Sequence, residues 1–256
     1  VEECCAELTT MVITMPHLHI ISTSNFNSND KTISDTIEVA TKFGIEATGH
    51  VVSPQNIMTK LTELSKYLNN KVIIQLPIDD EEDYPRLSEM VDLIHPMQDV
   101  EGLKVPLLDV AAMCDGNDFI THPTFSPAAK GVLLLGMLMD AEVRGKEVAI
   151  VGKDAKAGLP ITVMYNQLNS SVHTINSKSE NLISTRAICN MDLVVNCDED
   201  VCVPHVIGTN QINMMDDTVD RLRMLFVLYN CLATQMTNEI IMYNDKIKRG
   251  ANDELL

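Results

Sequence analysis

Glu147-Val148-Ala149-Ile150-Val151-Gly152-Lys153-Asp154-Ala155-Lys156-Ala157-Gly158-Leu159-Pro160 is the stretch that decides how this chain is read. An apolar run ends on one glycine, and a second glycine opens the next segment. Two more apolar runs follow, Ser171-Val172-His173-Thr174-Ile175 and Met191-Asp192-Leu193-Val194-Val195-Asn196. Short strands separated by helix-length segments predict right-handed βαβ units and a parallel sheet. Gly152 ends the first strand in a turn that glycine makes cheaply, and Gly158 permits close approach of backbone or ligand. The helix that follows can turn its N-terminal N–H groups toward a phosphate. The spacing is not GxGxxG. The residues alone therefore leave two readings open, a dinucleotide site and a plain strand–loop–helix connection.

Beyond this stretch, several segments resemble one family in order along nearly the whole chain. Val151-Gly152-Lys153-Asp154-x-x-Ala157-Gly158-x-Pro160 resembles the cofactor loop V-G-R-S-x-x-V-G-x-P of the methylenetetrahydrofolate dehydrogenase/cyclohydrolase (FolD-like) family. Asn176-Ser177-Lys178-Ser179 resembles its H-S-K-T, and Val72-Ile73-Ile74-Gln75-Leu76-Pro77 its V-Q-L-P. His95-Pro96-x-x-Asp99-Val100-Glu101-Gly102-Leu103 resembles its P-x-K-D-V-D-G. The resemblance implies an α/β fold with a folate-type N-terminal domain over residues 1–126. A long C-terminal helix within 212–256 packs back on that domain. Residues 127–211 form a reduced NAD(P)-binding Rossmann-like domain with a parallel sheet.

The same comparison exposes departures. The family's Tyr and Lys, four residues apart on one helix face, fall here on Thr32 and Thr36. A hydroxyl without a neighbouring base titrates far too high to move a proton at neutral pH. Gln75 keeps the family's supporting glutamine. Glu101 stands for the Asp that grips the folate ring, keeping the charge with one more methylene. On the cofactor side, Gly152, Lys153, Asp154 and Gly158 form the pyrophosphate turn, and Ser177 with Lys178 sits where a 2′-phosphate would be held. Lys153 offers a point charge where an Arg fork is usual, and Asp154 would repel an anion in a dry pocket. Val203-Pro204-His205-Val206-Ile207-Gly208 follows the last strand almost at once, which reads as deletion of strands from the family's sheet.

Composition bounds the rest. The chain has 256 residues, 45% hydrophobic and 21% charged, with 15 Met, no Trp and 4% aromatics, so its core is largely aliphatic and Met-filled. A net charge of −17 argues against nucleic acid as a partner. The longest apolar run, Gly131 to Met139, is too short for membrane insertion. Seven cysteines without a CxxC read as reduced thiols. His17-x-His19 shares one strand face but lacks a third ligand in sequence, so no metal is expected. A start at Val1 points to a removed presequence and a mitochondrial location, or to a chain given incompletely, with the cytoplasm as the alternative.

Taken together, these residues describe a diverged family member that has lost catalysis and serves as a structural or binding subunit. NADP binding is expected to be weak or absent, with a folate-type ligand retained as an option. The partners expected are a second copy of the chain or other subunits of a larger complex. The rivals are a working NAD(P)-dependent methylenetetrahydrofolate dehydrogenase with a rebuilt site using Gln75, Glu101 and Lys153, and a sensor that binds without turnover.

Overall fold

The computed structural model describes residues 1–22, 29–75, 86–116, 118–141, 143–175, 188, 190–198, 203, 209–214 and 216–253, the side chains of 29–32 and 246–253 excepted. The chain divides into two units, Val1–Val100 with Val227–Leu256, and Glu101–Phe226.

The first unit runs α1 (Glu2–Met11), β1 (His17–Ser22), α2 (Asn29–Lys42), β2 (Glu46–Val51), α3 (Pro54–Leu64), β3 (Asn70–Ile74) and α4 (Leu87–Asp92). Its three described strands pair in parallel in the order β2-β1-β3. The middle strand, His17-Leu18-His19-Ile20-Ile21-Ser22, is buried from Leu18 on, as a parallel strand covered on both faces should be. Gly44 ends α2 as its position predicts. With φ of +69°, it lets its own N–H reach Thr41 O at 3.0 Å and the Ile45 N–H reach Ala40 O at 3.1 Å. That is the paired closure of a Schellman end, with Ile45 buried beyond it. Ser53 and Pro54 start α3 as N-cap and first residue.

The apolar residues of His50–Ser53 predict the second strand there, and the structure places it earlier. It forms at Glu46–Val51, in register with His17–Ser22. The polar Glu46-Ala47-Thr48 hides it from a search for apolar runs, and the α3 cap removes Ser53 from it. The acidic segment 79–83, read as a helix start, lies outside the described residues.

The second unit holds α5 (Leu107–Met113), α6 (Asp118–Thr121), α7 (Pro127–Leu138), β4 (Glu147–Val151), α8 (Gly158–Gln167), β5 (Ser171–Ile175), β6 (Leu193–Asn196) and β7 (Asn210–Asn213). The strands are parallel in the order β5-β4-β6-β7. Alternation splits their side chains between two cores. Val148, Ile150, Leu193, Val195 and Ile212 pack with Val132 of α7 and Ile161 and Met164 of α8. Ala149, Val151, Ile175 and Val194 pack on the other face with Ile188. Val110, Ala111, Phe119 and Phe125 belong to the first of these cores. For that reason residues 101–126 fall in the second unit, whereas the sequence reading drew its line at 126/127.

A second correction concerns Ile212, read as the first apolar residue of the C-terminal helix. It lies instead in β7, opposite Val195, and the helix α9 runs Asp217–Asp253. Asp216 marks the true start, its Oδ1 accepting the Thr218 N–H at 2.8 Å as an N-cap does. Further along, α9 buries Val227, Leu228, Cys231 and Leu232 among Leu18, Ile20, Ile73 and Val100, which is the return to the N-terminal unit that the sequence implied. Asn230 Nδ2 donates to Val100 O at 2.9 Å within that core. No helix among the described residues is long and apolar enough to cross a membrane.

His17 and His19 do share a face of β1, with ring centroids stacked 4.0 Å apart. His50 of β2 joins them, its Nε2 2.9 Å from His19 Nδ1. Among the described residues no group of three or more His, Cys, Asp or Glu is placed to hold a metal ion. Burial lowers the pKa of His19 to about 4, with repulsion from His17 adding to it. Burial and then Lys60 lower that of His50. His19 therefore stays neutral in the folded chain over a range where the unfolded chain takes up a proton. The fold should lose stability as pH falls from about 6.5 to about 4, by on the order of 1–3 kcal/mol. Denaturant melts across that range check this, and His19→Leu should flatten the slope.

Candidate ligand site at the carboxyl edge of the second sheet

In the order β5-β4-β6-β7 the chain leaves β4 toward β5 on one side, while β6 and β7 lie on the other. The connections reverse between β4 and β6, and ligands of open parallel sheets bind outside the carboxyl ends at such a reversal. Two segments emerge there. One is the Gly152–Gly158 turn after β4. The other is Cys197-Asp198 after β6, whose Cys197 N–H reaches Val151 O at 2.8 Å.

The turn is tight. Gly152 has φ of +92°, and a Cβ there would sit 3.4 Å from Asp198 Cβ. A Cβ on Gly158 would lie 2.5 Å from Gly152 O and 2.9 Å from Lys153 Cα. Both glycines are thus required by the backbone of the turn itself. Lys153 points to solvent.

Asp154 faces inward along the turn. Its Oδ1 accepts the N–H groups of Lys156 at 2.9 Å and Ala157 at 2.8 Å, and its Oδ2 accepts that of Gly158 at 3.0 Å. The last of these is the first N–H of α8, and the other two belong to the turn that leads into it. A carboxylate at this end of a helix satisfies donors that the helix leaves unpaired and meets its positive pole. The same donors are the ones a phosphate would use. Asp198 stands on the other side of the reversal. The thiol of Cys197 between them is pushed up to about 12, by burial first and then by Asp154 and Asp198. That thiol stays protonated and is no nucleophile. The crevice therefore carries negative charge where a dinucleotide would bring more.

A second polar contact closes the turn from below. Lys156 Nζ donates to both oxygens of Glu101, at 3.1 and 3.0 Å, and the Glu101 side chain is only 6% exposed. Glu101 is held in turn by Gly102, whose φ is +73° and whose backbone leaves no room for a Cβ against Thr124 O. Ser126 Oγ donates to Lys156 O at 2.7 Å and also accepts the Ala129 N–H at the start of α7. Beside β6 and β7 lies a cavity of about 530 Å³, lined by Val194, Asn196, Asn210, Asn213 and Asp216 among others.

The second unit thus brings Gly152, Lys153, Asp154 and Gly158 together and sets Glu101 against the same turn. Ser177 and Lys178 lie outside the described residues. Gln75 and Thr36 belong to the first unit. Gln75 follows β3, half-buried, its N–H donating to Ile21 O at 2.8 Å. Thr36 is buried on α2, and the side chain of Thr32 is outside the described residues. A buried lysine does exist in that unit. Lys71 donates to Leu68 O at 3.2 Å and Met97 O at 2.7 Å, and burial lowers its pKa to about 8. It precedes Gln75 on β3 by about 13 Å of strand and ties loops at the amino end of that strand.

Fold and site together define a two-unit α/β protein with a Rossmann-like second unit. No family model matches the chain. The bifunctional FolD protein of Staphylococcus saprophyticus is 25% identical over 187 residues, 70% of this chain and 61% of that protein. That of Chlamydia caviae is 24% identical over 192 residues, 71% of this chain and 63% of that one. The chain thus spans about three fifths of the length of these curated relatives. Among solved structures, the Trypanosoma brucei methylenetetrahydrofolate dehydrogenase-cyclohydrolase, complexed with NADP and an inhibitor, matches with a TM-score of 0.74 at 15% identity, covering 93% of this chain and 95% of that one. The NAD-dependent enzyme of Saccharomyces cerevisiae matches at 0.72 and 12%, covering 94% and 95%. The chain is thus similar to the FolD-like dehydrogenase/cyclohydrolases in sequence over about 70% of its length and in fold over more than 90% of it, in line with the resemblance of its motifs.

Lys156 and Ser126 escaped the sequence reading. Lys156 sits at a position the motif leaves open, and only the rule that a buried carboxylate needs a partner hints at it. If the glycine pair serves the backbone of the turn, Gly158→Ala should destabilise the second unit without any ligand present. The expected loss is about 1–3 kcal/mol, as for other overpacked sites. Lys153→Ala should change stability by less than about 0.5 kcal/mol. Thermal melts of the two variants beside the parent chain test this.

Proposed function

We propose that this chain is a non-catalytic descendant of methylenetetrahydrofolate dehydrogenase/cyclohydrolase that keeps the fold as a binding or structural subunit. One observation carries the reading. The Asp154 carboxylate takes three N–H groups of the turn that leads into α8, the first N–H of the helix among them, where a pyrophosphate would otherwise be received. A ligand phosphate would have to displace a side chain already tethered there, beside Asp198. The replacement of the family's Lys and Tyr by Thr36 and Thr32 supports the same conclusion, since neither hydroxyl can carry the proton chemistry. Glu101 remains the group for a folate-type ring. The partners proposed are a second copy of the chain or other subunits of a larger assembly.

A second reading, a working NAD(P)-dependent methylenetetrahydrofolate dehydrogenase, draws on the intact Gly152–Gly158 turn and on relatives described as such enzymes. Hydride transfer needs positioning more than an acid or base, so it could outlast the Lys.

Calorimetric titration with NADP separates the two. The parent chain is expected to show no saturable binding below millimolar concentration. Asp154→Ser frees N–H groups at the α8 start and removes a charge, and should tighten NADP binding at least about tenfold, or about 1.4 kcal/mol. The pure protein should show no cyclohydrolase turnover above the uncatalysed rate. Micromolar NADP affinity in the parent chain, or saturable turnover, would overturn the non-catalytic reading.

A further inference from the structure

We propose that Lys156 is a latch. Its ammonium occupies the Glu101 carboxylate and pins the Asp154–Gly158 turn shut, so that a ligand reaching either group must first displace it. The inference rests on the reading of Glu101 as a ring-binding group only for its ligand arm. The latch itself is a property of the chain.

Three contacts fix Lys156. Its N–H is held by Asp154 Oδ1 at 2.9 Å, its carbonyl by Ser126 Oγ at 2.7 Å, and its Nζ spans both Glu101 oxygens. The backbone on either side is therefore set before the side chain acts, and little freedom is lost in forming the ion pair. The two partners differ in mobility. Glu101 is 6% exposed and directly precedes Gly102, whose backbone lies close against Thr124 O, while the Lys156 side chain is 19% exposed on a stem with four rotatable bonds. When the pair opens, the lysine swings out and the carboxylate stays.

Stability alone does not call for such a pair. Buried ion pairs are often no more stable than apolar residues of the same volume, whereas removing one partner leaves a buried charge uncompensated. A competitor from solution has a route in. An ammonium is a point charge, and a planar edge with two parallel N–H donors can grip a carboxylate at both oxygens. The Lys156 contact to Glu101 is therefore strong enough to hold the turn and open to exchange by a better-shaped donor.

The test compares the parent chain with Lys156→Met, Glu101→Gln/Lys156→Met and Lys156→Arg. The double variant removes both charges and so remains folded even if the single one leaves Glu101 stranded. Hydrogen exchange at the amides of Ala157 and Gly158 reads the latch. It should speed up at least tenfold in Lys156→Met and in the double variant, and stay near the parent rate in Lys156→Arg. Calorimetry with 2-amino-4-hydroxypteridine reads the ring arm. Affinity should rise at least tenfold in Lys156→Met and fall back in the double variant. Faster exchange without any gain in pteridine binding upholds the latch and counts against Glu101 as a ring-binding group. Unchanged exchange in a folded Lys156→Met or double variant overturns the latch, whatever the pteridine result.

Discussion

The contact between Gly158 and the carbonyl of Gly152 governs this molecule. It brings the start of α8 against the end of β4 with no room for a side chain between them. From that approach follow the direction of α8 across the sheet, the burial of Ile161 and Met164 against Val148 and Ile150, and the inward aim of the three N–H groups that Asp154 receives. A bound phosphate is one way to hold such a turn, and a carboxylate from within the chain is another. The backbone is nearly indifferent to which of the two is present, since both supply acceptor oxygens to the same donors. The geometry of such a turn therefore does not by itself require a bound phosphate.

Charge separates the two cases. A pyrophosphate is stabilised where a helix start meets no competing anion. Here Asp154 stands on one side of the reversal between β4 and β6 and Asp198 on the other, and both add to the burial that raises the pKa of Cys197. Lys156, a half-buried cation of the turn itself, answers Glu101.

Much of the fold was legible in sequence because its signals are local. Apolar runs mark β4, β5 and β6, Gly44 ends α2, and Ser53-Pro54 opens α3, each through conformational preferences that need no distant partner. Two elements were not legible for the opposite reason. The strand at Glu46–Val51 is polar on its outer positions and is a strand only because β1 lies beside it. Asn210–Asn213 carries a single apolar residue, Ile212, whose spacing from Met215 and Val219 also suits a helix. Only the pairing with Val195 decides between the two. The site divides in the same way. Gly152 and Gly158 could be read from the chain, as could the presence of a carboxylate at Asp154. That this carboxylate turns inward onto three N–H groups, and that Glu101 meets Lys156 across 55 positions of sequence, are facts of tertiary structure.

The helix α9 has a bearing on how the chain comes to be folded. The second unit is continuous, Glu101–Phe226, but the first is made of two pieces, Val1–Val100 and Val227–Leu256. Val227, Leu228, Cys231 and Leu232 complete a core begun by Leu18 and Ile20, so that core cannot close until the chain has been synthesised past Leu232. The second unit, whose contacts lie within one stretch, is free to fold first and shorten the effective loop that separates the two pieces. In the interval β1 and its neighbours stand with an uncovered apolar face, a period in which a chaperone or a partner chain would find its opening. The order of synthesis and the order of assembly are thus reversed in this molecule, the part made first being the last to be finished.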